Sequence, residues 1–526
     1  MLKKAYVFIL LATLLVLNSS CKLQKTTTLE SSVKPIQVVL LAGQSNMAGA
    51  GNYDELSEEV KQRIEKISHR VLLSFNGKPA KPLSYYDNKP SKKYNFTKRF
   101  GPELLLGLTL AESNPNQEFL LIKRSQGGTA LYGAWNPNWS QTKTKAVEKV
   151  GFKQNLKLYK LHISDIKRNL NLLNSQNKGY EIVGLAWMQG ENDATLEAAA
   201  KSYKNNLREL IRAYRRDLNV PELPFVLGQI NSRYGFKGGA EMVRKKMVQF
   251  AYQDYYSKLI ETSTDTSWSD FPKHSDNVHY NAKGQERLGM AFANAFFEVQ
   301  RKLDVSEFQD ISQLKPKSIT KFRAKGDTKM MYHVYMPSNF SPSKKLPIII
   351  AFSPQGRGNV MLNKIKPSAE ELGWILVGCD KLKNGMKDEV MENKMEDEVL
   401  NDILNNIPHD RARIYLAGFS GGAMRAYQIT TRRSENFEGI IAYGGWLGGD
   451  NYQDKDYQNG LKVAMVNGEN DKGANKWIEK DTRTLKKHHA IVKLFKHDGG
   501  HKVAEYELTT KILNWLEAMY QSAIKN

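Results

Sequence analysis

Apolar runs of strand length alternate with segments of helical periodicity along this chain, and the alternation stops once and then restarts. Residues 36–42, 119–123, 183–188 and 225–230 form the first set of runs, while 158–173 and 198–218 carry apolar residues at three- and four-residue spacing. Strands buried on both faces that alternate with helices require a mainly parallel sheet with helices packed on each side. Residues 304–320 break the rhythm: they are polar, contain Lys315-Pro316-Lys317, and follow an amphipathic helix expected at 284–303. Strands are then expected again at 329–336, 346–352, 374–379, 414–417, 439–443, 462–467 and 490–495, before a last helix at 506–520. The chain therefore reads as two α/β domains, 36–303 and 319–526, joined by a linker at 304–318.

Composition narrows the function classes. At 526 residues, 41% hydrophobic and 25% charged, the chain is neither disordered nor a single small module. Two cysteines exclude a disulfide framework and a cysteine-built zinc site, and Cys379, inside an apolar run, reads as a buried structural thiol. The 77 Lys and Arg against 55 Asp and Glu give +22, which favours polyanionic partners.

The N-terminus assigns a compartment. Lys3 and Lys4 precede an apolar stretch at 5–17 that is too short to span a bilayer, and small polar residues lead to Cys21. Leu-Asn-Ser-Ser-Cys resembles a bacterial lipobox. Residues 1–20 are thus expected to be a lipoprotein signal peptide, Cys21 the lipidated first residue, and 21–35 a tether. An exported chain without zinc-finger spacing, RNP-like segment or concentrated basic helix is not expected to bind nucleic acid. Acidic glycan or the membrane surface inherits the charge argument, beside a merely solvated basic surface.

The first half carries a serine directly after a strand, in Gly43-Gln44-Ser45-Asn46-Met47-Ala48-Gly49, where parallel sheets place their ligands. Near its end stands Asp276-Asn277-Val278-His279, a spacing that lets one short turn bring the carboxylate against the imidazole. Ser125-Gln126-Gly127-Gly128-Thr129 and Trp187-Met188-Gln189-Gly190-Glu191-Asn192-Asp193 follow two other strands. Gly127 could offer a backbone N–H, and Gln189 its side-chain amide, to a developing oxyanion. His274 lies near His279, but no convergent partners suggest a metal, and no cofactor is expected.

Taken in this order, these motifs resemble the SGNH-type acetylesterases of carbohydrate esterase family six, also described as sialate-O-acetylesterase-like, over about 36–300. The resemblance implies a flavodoxin-like parallel sheet and an acyl-serine mechanism, with Ser45 as nucleophile, His279 as base, Asp276 as its partner, and Ser45 N–H, Gly127 and Gln189 around the oxyanion. Glu191 could orient the histidine instead of, or together with, Asp276.

In the second half a strand runs into Gly418-Phe419-Ser420-Gly421-Gly422 and then a helix, the arrangement of a nucleophile elbow. Asp471 and His501 follow later strands in the order this fold expects; Asp498, beside the Gly499-Gly500 turn, is a rival acid. The segment resembles compact α/β-hydrolase esterases of the feruloyl-esterase and polyhydroxybutyrate-depolymerase type, although Ser353-Pro354 stands where most relatives have His-Gly. Together the halves imply a bifunctional esterase that strips acetyl and hydroxycinnamoyl or other acyl groups from polysaccharide. The alternatives are a sialate O-acetylesterase, or one active half beside a non-catalytic glycan-binding half.

Overall fold

Ile36–Gly43 is buried at every position except Gln37, because it lies in the middle of a seven-stranded sheet. In this computed structural model, described over residues 34–263, 269–304 and 313–525, that sheet runs in the order Ser257–Ile260, Phe225–Gly228, Tyr180–Met188, Ile36–Gly43, Phe119–Ser125, Val71–Phe75, Lys81–Pro82. All its pairings are parallel except the last. The central strand feeds two cores at once. Val38, Leu40 and Ala42 pack under helices Leu158–Ser175, Glu197–Asp217 and Gly239–Gln253, while Val39 and Leu41 face Glu58–Ser68, Pro102–Ser113 and Ala282–Asp304. Its apolar residues need no polar alternation because neither face meets water.

The second sheet has eight strands, ordered Ser318–Arg323, Met331–Met336, Ile375–Cys379, Ile348–Phe352, Ile414–Phe419, Gly439–Tyr443, Lys462–Gly468, Ile491–His497. The first two pairings are antiparallel and the rest parallel. The fold is therefore α/β, with two large parallel-rich sheets beside a small antiparallel one made of Gly51–Asn52, Lys98–Phe100 and Tyr86–Asp87. Strands that the sequence reading passed over, Val71–Phe75, Lys81–Pro82, Ser257–Ile260 and Ser318–Arg323, are all edge or near-edge strands with mixed burial. Partial exposure removes the continuous apolar run by which a strand is recognised. The last of them begins at Ser318, inside the expected linker; of the rest of that linker, 305–312 lie outside the described residues, as do the expected signal peptide, Cys21 and the tether up to 33. No helix among the described residues is long and apolar enough to cross a membrane.

Although the sequence suggests two separate bodies, Ile36–Asn526 forms one compact unit. A row of buried arginines makes the seam. Arg208, Arg212 and Arg215 lie on one face of Glu197–Asp217, at the spacing that aligns side chains on a helix. Arg208 donates to Asp456 at 2.8 Å, Arg212 donates to the carbonyls of Thr430 (2.8 Å) and Arg433, and Arg215 donates to the carbonyl of Ser434 at 3.2 Å. Thr430 and Arg433 end the helix Gly421–Arg432, so Arg212 caps carbonyls that the helix itself leaves unpaired. Arg411 to Glu222 (3.1 Å) and Asn459 to Glu209 (3.0 Å) extend the contact.

Candidate active site

Register brings the first-half motifs together. Gly43 pairs with Ser125 on one side and Met188 on the other, so the loops at 44–49, 126–136 and 189–195 leave the same sheet edge side by side. From this strand the chain passes first to neighbours on one side and later to Tyr180–Met188 on the other, which opens a crevice at the carboxyl edge. Gly43 is required there: a Cβ would lie 2.1 Å from the carbonyl oxygen of Met188. Ser45 opens the short helix Ser45–Ala48, so its own N–H has no intrahelical acceptor.

Asn46 straps the histidine loop to the serine. Its amide donates to Glu191 Oε1 and to the carbonyl of Val278, both at 3.0 Å, and its Oδ1 accepts the N–H of Tyr280 at 3.1 Å. The residues on either side of His279 are thus tied to the residue after Ser45. Asp276 Oδ2 lies 2.7 Å from His279 Nδ1, while Oδ1 accepts the N–H groups of Val278 and His279, each at 2.9 Å. Lys93 completes the group, 2.9 Å from Asp276 Oδ2 and 3.1 Å from His279 Nδ1. Against the cost of burial, these donors hold the Asp276 carboxyl well below the usual range. Burial lowers His279, Asp276 opposes the shift, and the charges of Lys93 and Arg99 add to it.

Gln189 and Glu191, named from the sequence for the oxyanion and the histidine, have other hydrogen-bond partners in this structure. Gln189 is fully buried, and its amide nitrogen is already engaged by Asp193 Oδ2 (2.6 Å), Thr129 O (3.1 Å) and Gln44 Oε1 (3.2 Å), so it braces loops rather than facing an oxyanion. Glu191 bonds Asn46, not the imidazole; burial pushes it up to about 7. Gly127 does sit beside the nucleophile, where a Cβ would lie 3.5 Å from Ser45 Cβ. Its loop is held from behind by carboxylates: Asp193 accepts the N–H groups of Leu131 (2.8 Å) and Tyr132 (2.9 Å), and Glu148 accepts that of Ala130 (2.8 Å). From the open side Lys153 donates to the Gly127 carbonyl at 2.6 Å.

The second sheet builds a similar group at its own carboxyl edge. Ser420 joins Ile414–Phe419 to Gly421–Arg432 with φ 53° and ψ −121°, a conformation that a non-glycine residue holds only under constraint. Its N–H donates to the Tyr443 carbonyl at 2.8 Å. The next residue, Gly444, lies against the acid and base: a Cβ there would fall 3.0 Å from His501 Nδ1 and 3.2 Å from Asp471 Oδ2. Those two groups are 2.7 Å apart, and Asp471 Oδ1 accepts the Ala474 N–H at 3.1 Å. Asp498 is exposed, and it is the carbonyl of that residue that His497 contacts, so Asp471 is the partner of His501. Ser353 Oγ accepts the Arg357 N–H at 2.7 Å, which makes Ser353-Pro354 a locked turn.

Comparison with known proteins supplies the chemistry of the first group. A profile of the family described as carbohydrate esterase, sialic acid-specific acetylesterase, matches residues 35–298, half of the chain. The chain belongs to this family. It is accordingly a carboxylic ester hydrolase, and the family implies an acetylated carbohydrate as substrate. A probable carbohydrate esterase of Arabidopsis thaliana is 25% identical over 284 residues, covering 51% of this chain and 93% of that protein. Among solved structures, an Arabidopsis thaliana protein is 22% identical, covering 50% of this chain and 99% of that one with a TM-score of 0.38. A carbohydrate acetylesterase from Xanthomonas citri is 16% identical, covering 56% and 61% with a TM-score of 0.34.

Several parts of this carbohydrate esterase's site gave no signal in the sequence reading. Asn46 lies inside the motif around Ser45, yet its three partners lie more than 140 positions away. Asp193 ends the motif that begins at Trp187, and Glu148 and Lys153 belong to no motif. Among the described residues, no group of three or more His, Cys, Asp or Glu side chains is arranged to hold a metal ion.

Proposed function

We propose that the chain is a bifunctional serine carboxylesterase acting on an acylated polysaccharide, with an SGNH-type first lobe that removes acetyl groups and an α/β-hydrolase-type second lobe that removes another acyl ester. The observation that carries this reading is the presence of two serine, histidine and aspartate groupings, each at the carboxyl edge of its own sheet. In the first, Ser45 Oγ attacks the ester carbonyl while His279 Nε2 takes its proton and Asp276 steadies the imidazolium. The oxyanion forms beside the N–H groups of Ser45 and Gly127. Collapse breaks the bond between the acyl carbon and the sugar oxygen, which takes the proton from His279 and leaves as a hydroxyl, and the acetyl-serine that remains is hydrolysed by water with His279 again as base. Ser420, His501 and Asp471 repeat the cycle, with the N–H of Gly421, the first residue of its helix, beside the oxyanion. The strained backbone at Ser420 argues against a merely sugar-binding second lobe.

The test is acid release from a panel of acetylated and feruloylated glycans by the wild type, Ser45→Ala and Ser420→Ala. Each variant should lose one activity and keep the other; loss of both from either substitution removes the two-site reading. A second substrate reading, O-acetylated sialic acid, is favoured by the family's description and by Lys93 and Lys153 at the first site. It predicts Ser45-dependent acetate release from that sugar in preference to neutral acetylated sugars. If the net charge of +20, left when residues 1–20 with their two lysines and no acids are removed from a chain of +22, serves an acidic glycan, activity on a uronate-bearing polymer should fall with rising salt while a small neutral acetyl ester is unaffected. We further read Cys21 as the lipidated anchor of an exported protein; Cys21→Ser should release the chain from the membrane fraction, and a wild type already soluble refutes the anchor.

A further inference from the structure

Lys93 reaches the first site from outside every motif. It sits at the tip of a hairpin formed by Tyr86–Asp87 and Lys98–Phe100. The tip is internally tied: Asn88 donates from its backbone to Thr97 O at 2.7 Å and from its side chain to Phe96 O at 2.6 Å, and Ser91 Oγ accepts the Tyr94 N–H at 3.1 Å. The base of the hairpin is fastened to the nucleophile loop, where Arg99 Nε donates to the Gly49 carbonyl at 2.7 Å. A lysine delivered this way is carried by the same framework that holds Ser45.

We propose that Lys93 is a positioning residue of the first site: its ammonium pins Asp276 Oδ2, and its charge keeps the His279 imidazole neutral and ready to accept a proton. This inference rests on the esterase reading of that site. Asp276 Oδ2 receives both the lysine and the imidazole N–H, so the carboxylate cannot rotate away when the imidazole is charged. The ammonium at 3.1 Å from Nδ1 opposes that charge before substrate arrives. Among the described residues, these groups face His279. From its own loop comes Asp276. The hairpin brings Lys93, Arg99, whose charge acts in the same direction as that of Lys93, and Tyr94, whose ring lies 6.3 Å from the imidazole and 5.5 Å from that of His274. Glu191 lies behind Asn46.

The experiment compares wild type, Lys93→Met and Lys93→Arg by the pH dependence of kcat/KM for acetate release. In parallel, the titration of His279 is followed by NMR in the Ser45→Ala background. Lys93→Met should raise the acidic limb, and the His279 midpoint with it, by about one pH unit. Lys93→Arg, which keeps the charge, should stay with the wild type. An even loss of activity at every pH with an unmoved His279 midpoint overturns the proposal, because that pattern reports only a loosened hairpin. A wild type without Ser45-dependent acetate release would sink the esterase reading instead, and the NMR midpoints would still decide what Lys93 does to the imidazole.

Discussion

Asp276 uses both of its oxygens, one for backbone N–H groups and one for His279 and Lys93, and this division separates it from Glu191. Asp276→Asn should cut acetate release by several orders of magnitude, by analogy with the ~10⁴-fold loss for a serine-protease aspartate. Glu191→Gln should keep activity within about tenfold, since it touches the strap and not the base; the reverse ranking in steady-state assays would transfer the role. Glu191 also gives a stability prediction. Its folded carboxyl titrates at about 7, against 4.5 for an unperturbed one, so the folded state holds the proton more tightly and stability declines as pH rises through that window. Asp193, at about 6, and Glu148, at about 7, act in the same direction. Melting temperatures at pH 5 and pH 8 should therefore differ less in Glu191→Gln than in the wild type, without becoming equal. The sequence made Asp276 and His279 legible because their contact is local. It could not foresee the three partners of the Gln189 amide, since nothing in a chain says which neighbours an amide will choose, and it was silent on Lys93, whose partner lies 186 positions away.

Strand ends decide the sites at the next scale. Buried central strands announced themselves as apolar runs, and the serines after two of them were readable for that reason. Half-exposed edge strands carried no such pattern. Gly444 follows Gly439–Tyr443 with φ 54° and leaves its open side to the His501 and Asp471 pair. Gly444→Ala should strain that turn and push the pair apart, abolishing the Ser420-dependent activity while the Ser45-dependent activity stays at wild-type level. Parallel assays of the two activities check this, and equal retention of both would place the second acid and base elsewhere. A similar substitution at Gly43 is expected to be worse, because it forces apart two central strands rather than a loop.

For the molecule as a whole, the arginine seam is expected to make the halves unfold together. Calorimetry should give one transition, with both esterase activities lost at the same temperature; two well-separated transitions would mean that the seam contributes little. Arg212→Met should lower the stability of both halves, since the carbonyls of Thr430 and Arg433 lose their donor at about 1–3 kcal/mol for each group left unsatisfied. None of this was legible beforehand: arginines spaced along a helix read as a solvated face until the partner carbonyls are known. The same seam limits how such a chain can be assembled from parts. A gene fragment ending near residue 304 would encode a first half whose Arg208, Arg212 and Arg215 lose their acceptors at Asp456, Thr430, Arg433 and Ser434, keeping only Glu209, Leu223 and Asp254 on their own side, and the complementary fragment would carry a helix behind its nucleophile whose last carbonyls lack this donor. Shuffling either half into a new fusion therefore requires redesign of that shared face.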